Sequence, residues 1–282
     1  MISYIIVNYN TSDVTINMID SIIKNCSDYE IILVDNNSTD NSVLKIKERF
    51  KENKVQVIEN KANLGFSKAN NIGFNNSKGD YIVFVNPDTL FSCDIGDKLY
   101  SEYKKNYLNK KVILSPQIMN SDGTEQHCRN LFPIINWALV FRKIKKIINE
   151  KFYSRINSEW LTGVCYGMER SLVEQLAGWN ENYDLYSEDL DMCYRLKKLL
   201  HGKCFVIKDI KLLHYGNQSG KQIYKTQYES FRKKTNALKI FYDLYYSQDS
   251  FILYLKKMYF ITRNPLIKKY LKEDANVKEN NR

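Results

Sequence analysis

The segment Glu188-Asp189-Leu190-Asp191 places three carboxylates at the start of a predicted amphipathic helix. Asp189 falls on the apolar arc of that helix and is therefore expected to face inward. An inward carboxylate at a helix start either caps the helix or acts as a general base, whose ionised form the helix dipole supports. Asp191 is expected to point away from this apolar arc and to pair with Arg195, four residues later, in a structural role. The catalytic candidates are thus Asp189 and its neighbour Glu188.

A further acid, Asp88, follows directly after a predicted strand in the sequence Asn86-Pro87-Asp88. The proline fixes the backbone at this point, and Asn86 can orient its neighbour. Hard divalent cations take oxygen ligands, usually one or two carboxylates together with phosphate oxygens. Asp88 is therefore a candidate ligand for Mg²⁺ or Mn²⁺, although a turn or a helix cap would also suit an aspartate here.

Asp35 lies at the end of another predicted strand, where a carboxylate can accept hydrogen bonds from a ribose hydroxyl or a base N–H. The chain has no Gly-x-Gly-x-x-Gly or Gly-Lys-Ser/Thr loop that would hold phosphates with backbone amides. If a nucleoside diphosphate binds, a divalent cation is the simplest group to neutralise it. His214, in a polar turn after the last predicted strand, is by itself a weak candidate ligand, because most single histidines are structural.

Strands and helices alternate along the first ninety residues, which predicts a largely parallel sheet with right-handed crossovers. The expected strands are 2–7, 30–34, 55–58 and 81–85, and the expected helices are 13–24, 39–51 and 66–76. Polar residues directly follow three of these strands, at 8–10, 35–37 and 86–88. Such positions share the carboxyl edge of a parallel sheet, where ligands of open α/β sheets bind, although each residue also suits a turn.

Beyond this region the predicted elements are strand 112–116, helix 137–152, strand 160–168, helix 171–176, strand 205–213 and helices from about 221 to 271. The helix at 137–152 combines apolar and basic residues, which suits either core packing or a membrane interface. We expect a catalytic α/β domain at residues 1–215 and a basic, Tyr-rich helical extension at residues 216–282.

The formal net charge of +10 is concentrated in this extension, since residues 216–282 contain 14 Lys and Arg but 6 Asp and Glu. Such a segment favours an anionic partner: nucleic acid, a membrane surface or a phosphate-bearing substrate. Its tyrosines fall among apolar residues at helical spacing, which favours core or membrane contact over base stacking. No apolar run is long enough to span a bilayer, and the N-terminus does not resemble a secretory signal. We expect a cytoplasmic protein held peripherally on the inner face of the cell membrane.

Taken together, these motifs resemble the family 2 inverting glycosyltransferases, typified by bacterial rhamnosyl- and galactosyltransferases. The resemblance covers residues 2–220 and is carried by Ile5-Ile6-Val7-Asn8-Tyr9-Asn10, Val34-Asp35-Asn36-Asn37-Ser38-Thr39-Asp40, Asn63-Leu64-Gly65-Phe66, Ala69-Asn70-Asn71, Asn86-Pro87-Asp88-Thr89, Trp160-Leu161-Thr162-Gly163, Glu188-Asp189-Leu190-Asp191 and His214-Tyr215-Gly216. It implies the GT-A fold: a Rossmann-like, mostly parallel mixed sheet flanked by helices, here with a C-terminal helical extension.

Position by position, the resemblance implies that Asp189 takes the proton from an acceptor hydroxyl as its oxygen attacks the anomeric carbon in line. Asp88 would be the metal ligand, with His214 as a further ligand near the diphosphate. Asn86 replaces the first acid of the family's Asp-x-Asp, a departure shared by rhamnosyltransferase-like members. The implied nucleotide-binding residues are Val7, Asn8, Tyr9, Asn10, Asp35, Asn37, Asn63, Gly65, Asn70, Asn86 and Pro87, and the implied acceptor-binding residues are Trp160, Thr162 and Gly163.

Asn-Pro-Asp combined with Glu-Asp-Leu-Asp is most similar to users of dTDP-L-rhamnose. We therefore expect transfer of L-rhamnose to a saccharide or lipid-linked saccharide in bacterial cell-surface polysaccharide synthesis. UDP-hexose and UDP-galactofuranose remain open as donors. The alternatives of another class are a non-catalytic nucleotide-sugar-binding protein, against which Asp88 and Asp189 argue, and a nucleic-acid-binding protein, although we expect no nucleic-acid partner.

Overall fold

The computed structural model describes residues 1–51, 55–133, 154–216 and 226–280. The strands of this part of the chain are β1 (Ile2–Asn8), β2 (Tyr29–Asp35), β3 (Val55–Glu59), β4 (Tyr81–Val85), β5 (Thr89–Leu90), β6 (Val112–Met119), β7 (Arg129–Asn130), β8 (Arg155–Ser158), β9 (Trp160–Leu161), β10 (Cys165–Glu169) and β11 (Lys203–His214). Its helices are α1 (Ser12–Asn25), α2 (Ser42–Arg49), α3 (Phe66–Asn75), α4 (Ile95–Asn106), α5 (Arg170–Gln175), α6 (Glu188–Leu199), α7 (Gln227–Tyr245), α8 (Gln248–Thr262) and α9 (Pro265–Asn280).

Within these residues, nine strands form one mixed sheet in the order β3-β2-β1-β4-β10-β6-β11-β5, with β8 also paired to β11. Strands β1 to β4 pair in parallel, as do β6 and β11. Strand β10 runs antiparallel to both β4 and β6. The register places Asn8 opposite Asp35, so the ends of β1 and β2 lie at one edge of the sheet. This confirms the predicted mostly parallel mixed sheet flanked by helices.

The central strands are buried along nearly their whole length, as in sheets covered on both faces. All seven residues of β1 and all five of β4 are buried. On one helix that covers the sheet, α1, the buried residues Met18, Ile19 and Ile22 recur at helical spacing and join the main core. Apolar burial of this extent holds the ends of the central strands in fixed positions, and the polar residues that follow them are positioned by it.

Three predicted elements differ from the observed ones, and one lies outside the described residues. The helix expected at 39–51 is shorter and begins only after Asn41, which adopts a left-handed backbone with φ of 58°. The strand expected at 160–168 is divided into β9 and β10. The C-terminal helices continue to Asn280 rather than ending near residue 271. The helix predicted at 137–152 falls outside the described ranges.

The C-terminal helices α7 to α9 supply most of a second hydrophobic cluster, distinct from the core of the sheet. Its buried residues are Phe132, Tyr183, Leu190, Phe241, Tyr242, Phe251, Leu255, Ile267 and Tyr270. Three of these precede residue 216, so helices α7 to α9 pack directly against the segment that carries α6. The division at residue 215 stays a prediction. None of the described helices has the length and apolarity needed to cross a bilayer.

Candidate active site

A cleft of about 750 Å³ opens at the carboxyl edge of β1 and β4. It brings together residues that lie far apart in the sequence, from the end of β1 to helix α7. The predicted site residues that line it are Val7, Tyr9, Asn63, Gly65, Asn86, Pro87, Asp88, Thr162, Gly163, Glu188, Asp189 and His214. All the predicted catalytic and metal-binding residues therefore share one cavity.

Asp35 does not line this cleft, contrary to the expectation that its carboxylate points into the crevice. It is buried, and its two oxygens accept hydrogen bonds from Asn8 Nδ2 at 2.6 Å and from the Ser38 amide at 2.8 Å. The Ser38 hydroxyl also bonds to Asp35 and accepts from the Asn10 amide at 2.9 Å. Through these hydrogen bonds Asp35 joins the β1 and β2 loops. The predicted contact of Asp35 with a nucleotide stays a prediction.

Four other predicted nucleotide-binding residues also lie outside the cleft wall. Asn8 and Asn10 belong to the network around Asp35, and Asn37 is exposed with a φ of 66°. Asn70 is buried and donates to the Phe66 carbonyl within α3 at 2.9 Å. Their turn and packing roles account for these positions.

Asn36, which sequence analysis did not select, lines the cleft next to Asp35. Its Nδ2 donates to the Gly65 carbonyl at 3.0 Å, and its Oδ1 accepts from Asn60 Nδ2 at 2.9 Å. Gly65 itself has a φ of 84°, and a Cβ there would lie 2.8 Å from Asp184 Cα. Only glycine suits this conformation and this close approach. The contact joins the loop before α3 to the loop before α6.

Asp88 and His214 face each other inside the cleft, and both are buried. His214 Nε2 lies 3.2 Å from Asp88 Oδ1. On its other side, His214 Nδ1 lies 2.8 Å from Gln126 Oε1. With a proton on Nδ1 donated to Gln126, the Nε2 lone pair is directed towards Asp88. The backbone reinforces the pairing, because the Tyr215 amide donates to the Asp88 carbonyl at 2.9 Å.

This pair fits a divalent cation. Cis ligands of an octahedral ion with bonds of about 2.1 Å are about 3 Å apart, close to the observed separation of 3.2 Å. The unprotonated Nε2 is the form that binds metal, and an acceptor such as Gln126 Oε1, which can hold the proton on Nδ1, is the usual way to secure it. No cluster of three or more metal-ligating side chains occurs in the described part of the chain. The remaining ligands would therefore have to come from bound phosphates or water.

Asp189 occupies the first turn of α6 and borders the cleft. Its Oδ2 accepts a hydrogen bond from the Gly163 amide at 3.0 Å, and its Oδ1 accepts from the Leu190 amide at 2.7 Å. Burial raises the pKa of Asp189 from 3.8 to about 6, although the two amide hydrogen bonds act to lower it. The carboxylate is thus held in place, ionised near neutral pH, and more basic than an ordinary aspartate.

Glu188, its neighbour, is buried and also borders the cleft. Its Oε2 has no hydrogen-bond partner among the described residues. Burial, together with the charge of Asp189, raises the pKa of Glu188 from 4.5 to about 8. This shift favours the protonated form of Glu188 at neutral pH, in which the acid group can donate a hydrogen bond into the cleft. Of the two neighbours, Asp189 is the one suited to accept a proton.

The two residues after β9 complete this wall of the cleft. A Cβ on Gly163 would lie 3.1 Å from Asp189 Cβ, so the glycine allows its amide to reach the carboxylate. Thr162 lines the cleft, whereas Trp160 does not and donates through Nε1 to the Leu131 carbonyl at 3.0 Å. Of the three predicted acceptor-binding residues, Thr162 and Gly163 are in the cavity.

Residues 3–176 of the chain fit the model of Glycosyl transferase family 2. The chain belongs to this family. The glycosyltransferase is also similar to individual members of this class of enzyme. It is 26% identical over 218 residues to the low-salt glycan biosynthesis hexosyltransferase Agl10 of Haloferax volcanii, covering 74% of this chain and 66% of the relative.

Two rhamnosyltransferases are further relatives of the glycosyltransferase. Rhamnosyltransferase WbbL of Escherichia coli K12 is 24% identical over 257 residues, which cover 83% of this chain and 91% of WbbL. The N-acetylglucosaminyl-diphospho-decaprenol L-rhamnosyltransferase of Mycobacterium tuberculosis is 23% identical over 218 residues, 68% of each chain. Among solved structures, GalNAc-T7 with UDP, GalNAc and Mn²⁺ superposes with a TM-score of 0.61 at 16% identity, covering 76% of this chain and 44% of GalNAc-T7. This last similarity concerns the fold alone, and the fold is GT-A.

Asp191 of the glycosyltransferase is fully buried, so the prediction that it points away from the protein was wrong. Its predicted partner is confirmed, since Arg195 Nε lies 2.6 Å from Asp191 Oδ2. Asp191 Oδ1 also accepts from Asn180 Nδ2 at 3.1 Å and from the Tyr245 hydroxyl at 2.7 Å. The helical pattern of α6 alone could not predict this burial, because α7 covers that face of the helix.

Other cleft residues of the glycosyltransferase were not predicted either, and besides Asn36 they are Phe66, Gln126, Val164, Asp184, Leu185, Tyr186, Gly216, Lys233 and Lys234. Asp184, Leu185 and Tyr186 lie just before the Glu-Asp pair, separated from it by Ser187, and their position in the sequence was an available signal. Tyr186 and Ser187 have φ values of 73° and 65°, which turn the chain sharply before α6. Lys233 and Lys234 lie on α7, and no local motif distinguishes them from the other lysines of that helix.

Proposed function

We propose that the protein is an inverting glycosyltransferase that transfers a sugar from a nucleoside diphosphate to a hydroxyl of a saccharide acceptor. The observation that carries this proposal is the presence, in one cleft, of Asp189 and the Asp88–His214 pair. A base and a cation site are the two parts that a direct displacement at an anomeric carbon requires. One displacement without a covalent intermediate inverts that carbon.

Asp189 is the proposed general base. Its raised pKa of about 6 makes it basic enough to accept a proton from an attacking hydroxyl while it stays mostly ionised at pH 7. The Gly163 and Leu190 amides keep its oxygens in fixed positions before substrate arrives. Glu188, protonated at neutral pH, would donate a hydrogen bond to a sugar hydroxyl in the same cavity.

Asp88 Oδ1 and His214 Nε2 are the proposed protein ligands of a divalent cation, which when bound would stabilise the charge of the departing diphosphate. GalNAc-T7, which shares the fold, was solved with Mn²⁺. Imidazole is a more usual ligand for transition metals than for Mg²⁺, which prefers oxygen. We therefore favour Mn²⁺ over Mg²⁺ at this pair.

L-rhamnose from dTDP-rhamnose is the proposed donor. Its support is the similarity to two rhamnosyltransferases, one of which is matched over 91% of its length. Agl10 is named a hexosyltransferase, so a UDP-hexose or UDP-galactofuranose remains the second candidate. The Asn-Pro-Asp sequence at residues 86–88, with one acid rather than two, favours the rhamnosyltransferase reading.

A lipid-linked saccharide is the proposed acceptor, and cell-surface polysaccharide synthesis the proposed process. The Mycobacterium tuberculosis relative is named for a diphospho-decaprenol acceptor.

We further propose that residues 216–282 form a basic extension that holds the protein on the inner face of the membrane. On α8, Leu253, Phe260 and Ile261 are 50%, 70% and 74% exposed, and the Arg263 guanidinium lies over the Phe260 ring at 4.9 Å. Exposed apolar residues beside basic ones suit an anionic lipid surface.

The donor site is tested by the shift in melting temperature with UDP, dTDP and GDP, each with Mn²⁺ and with EDTA. A ligand at 100-fold excess over its Kd stabilises the folded state by about 2.7 kcal/mol, which is easily measured. We expect one nucleotide to act, only with Mn²⁺, and Asp88→Ala to abolish its effect. Asp122→Ala, in an exposed turn, is the control and should behave as wild type. No shift with any nucleotide would refute the donor site.

The membrane proposal is tested separately by sedimentation with vesicles that contain anionic lipid. The variant Phe260→Ser/Ile261→Ser of the full chain should bind at least several-fold less than wild type. The control Leu44→Ser/Leu199→Ser removes two other exposed apolar residues, 59% and 66% exposed, and should bind normally. Equal binding by both variants would refute the α8 surface.

A further inference from the structure

The described residues that line the cleft carry an unequal charge. Besides Glu188, whose raised pKa favours the neutral acid, three are acids, Asp88, Asp184 and Asp189, and the only two lysine or arginine side chains are Lys233 and Lys234. Both lysines belong to α7, beyond the matched family region of residues 3–176. A diphosphate substrate brings further negative charge into this cavity, and the chain lacks a glycine-rich loop that would receive it.

Helix α7 holds these two lysines in a defined position. Thr226 and Glu229 form a capping box at its start, with both hydrogen bonds at 3.1 Å. Further along, Phe241 and Tyr242 are buried in the C-terminal cluster, and Tyr245 bonds to Asp191 of α6. The helix is therefore fixed at both ends, and its second turn projects the lysines over the loop before α6.

The present partners of both lysines are weak and exchangeable. Lys233 Nζ lies 3.3 Å from Asp184 Oδ2, but the two side chains are 41% and 73% exposed. Lys234 Nζ lies 5.1 Å from the centre of the Tyr186 ring. Exposed ion pairs and exposed cation–π contacts contribute little, so each ammonium can turn to a stronger partner at small cost. A phosphate oxygen is such a partner, and lysine is a common point-charge ligand for it.

We propose that Lys233 and Lys234 bind a phosphate group of a substrate at the mouth of the cleft. This inference rests on the proposed glycosyl transfer and deepens it. Two phosphates qualify, the diphosphate of the donor and the diphosphate of a lipid-linked acceptor, and both have the same chemistry at this point. Helix α7 is then part of the substrate site and not only a membrane attachment.

The test measures binding of two probes by calorimetry: UDP or dTDP with Mn²⁺ for the donor, and farnesyl diphosphate for a lipid diphosphate. We expect Lys233→Gln/Lys234→Gln to weaken the binding of at least one probe tenfold or more, and Lys233→Arg/Lys234→Arg to retain most of the affinity. Lower affinity for the nucleotide alone assigns the lysines to the donor, and lower affinity for farnesyl diphosphate alone assigns them to the acceptor. Lower affinity for both probes assigns a phosphate site that is open to either substrate.

The matched control is Lys98→Gln/Lys239→Gln, which removes the same charge from a lysine on α4 and another on α7 that is paired with Asp243. Farnesol, which lacks the diphosphate, should bind wild type and both variants alike. The proposal is overturned if the Lys233→Gln/Lys234→Gln variant binds both probes with an affinity within twofold of wild type. It is also overturned if the Lys98→Gln/Lys239→Gln control loses as much affinity as that variant. If wild type itself binds no nucleotide, the proposed donor site fails, and the phosphate site is then decided by farnesyl diphosphate alone: equal binding of that probe by wild type and the Lys233/Lys234 variant overturns it.

Discussion

The Tyr245 hydroxyl on α7 donates a 2.7 Å hydrogen bond to Asp191 Oδ1 on α6, two residues after the proposed base. Asp191 is completely buried and also pairs with Arg195. A buried carboxylate needs all its partners, because loss of one leaves part of its charge unpaired. Helix α7 therefore contributes to the environment of α6, the helix on which Asp189 lies.

Replacement of Tyr245 by Phe should destabilise the protein by about 1–3 kcal/mol, the usual cost of a lost hydrogen bond to a buried charge. The free energy of unfolding is measured by urea denaturation at pH 7. Tyr254→Phe, in the same cluster, is the control because its hydroxyl forms no hydrogen bond with a described residue. Equal stability of the two variants would show that the Tyr245–Asp191 bond contributes little.

The rate of transfer should depend on pH through both acids of the Glu188–Asp189 pair. Asp189 must be ionised to accept a proton, so kcat/KM should rise tenfold per pH unit up to about pH 6. If protonated Glu188 donates a hydrogen bond to substrate, the rate should fall above about pH 8. Glu188→Gln should then keep the rise of kcat/KM at acid pH and remove its fall at alkaline pH. The rate is measured as release of nucleoside diphosphate. An alkaline limb that survives in this variant would exclude Glu188 as its source.

Asp189→Asn should lower kcat by about 10²–10⁴-fold, the usual contribution of a general base. Nucleotide binding should change little, since Asn keeps the shape of the side chain and the donor site lies at Asp88. Rates and nucleotide affinity are measured on the same preparation. A variant that retains more than a tenth of the wild-type kcat would rule out Asp189 as the base.

Stability should also depend on pH through Glu188, and the sign is opposite to that of an ordinary salt-bridged acid. Its pKa is raised from 4.5 to about 8 in the folded protein, so the folded state keeps a proton that the unfolded state has lost. Its contribution to stability therefore falls as pH rises from about 4.5 to 8, by at most about 1.4 kcal/mol per pH unit. Glu188→Gln should gain stability relative to wild type over this window, as measured by melting temperature. A constant difference between the two proteins would contradict the raised pKa.

Gln126→Leu should weaken binding of Mn²⁺ in the presence of nucleotide by about tenfold or more, the usual effect of removing the hydrogen-bond partner of a histidine ligand. Without the amide oxygen, Nδ1 of His214 loses the acceptor that would hold a proton there and leave Nε2 free for the metal. Free Mn²⁺ is measured by electron paramagnetic resonance. Gln56→Leu, at an exposed position of β3, is the control. Unchanged Mn²⁺ affinity in Gln126→Leu would show that Gln126 does not position His214.

Gly65→Ala should destabilise the protein and weaken nucleotide binding, because its Cβ would meet the Asp184 backbone at 2.8 Å. Gly123 provides a control, since it has a similar φ of 82° and nothing within 4 Å of its added Cβ. Gly123→Ala should cost only the backbone strain, about 1–2 kcal/mol. Comparison of the two by urea denaturation isolates the contact with Asp184. Equal costs would mean that the loop before α6 can move aside.

The parts of the fold that could be predicted are those set by local pattern. The strands β1 to β4 follow from apolar runs, and the positions of Asp88 and Asp189 follow from the end of a strand and the start of a helix. The residues whose surroundings were not predicted depend on contacts between distant segments. Asp35 follows a strand as Asp88 does, but Ser38 and Asn8 occupy its oxygens. Asp191 is buried because α7 covers it, and Lys233 reaches the cleft only through the packing of the C-terminal helices.

The cluster that joins α7 to α9 with Phe132, Tyr183 and Leu190 has a consequence for protein engineering. A fragment cut near residue 215 would expose these apolar side chains to water and would leave Asp191 without Tyr245. Such a fragment should aggregate on expression, whatever the chemistry of its cleft. Chimaeras with other family members should therefore exchange the C-terminal helices together with the segment from Tyr183 to Tyr194, because these surfaces must match each other.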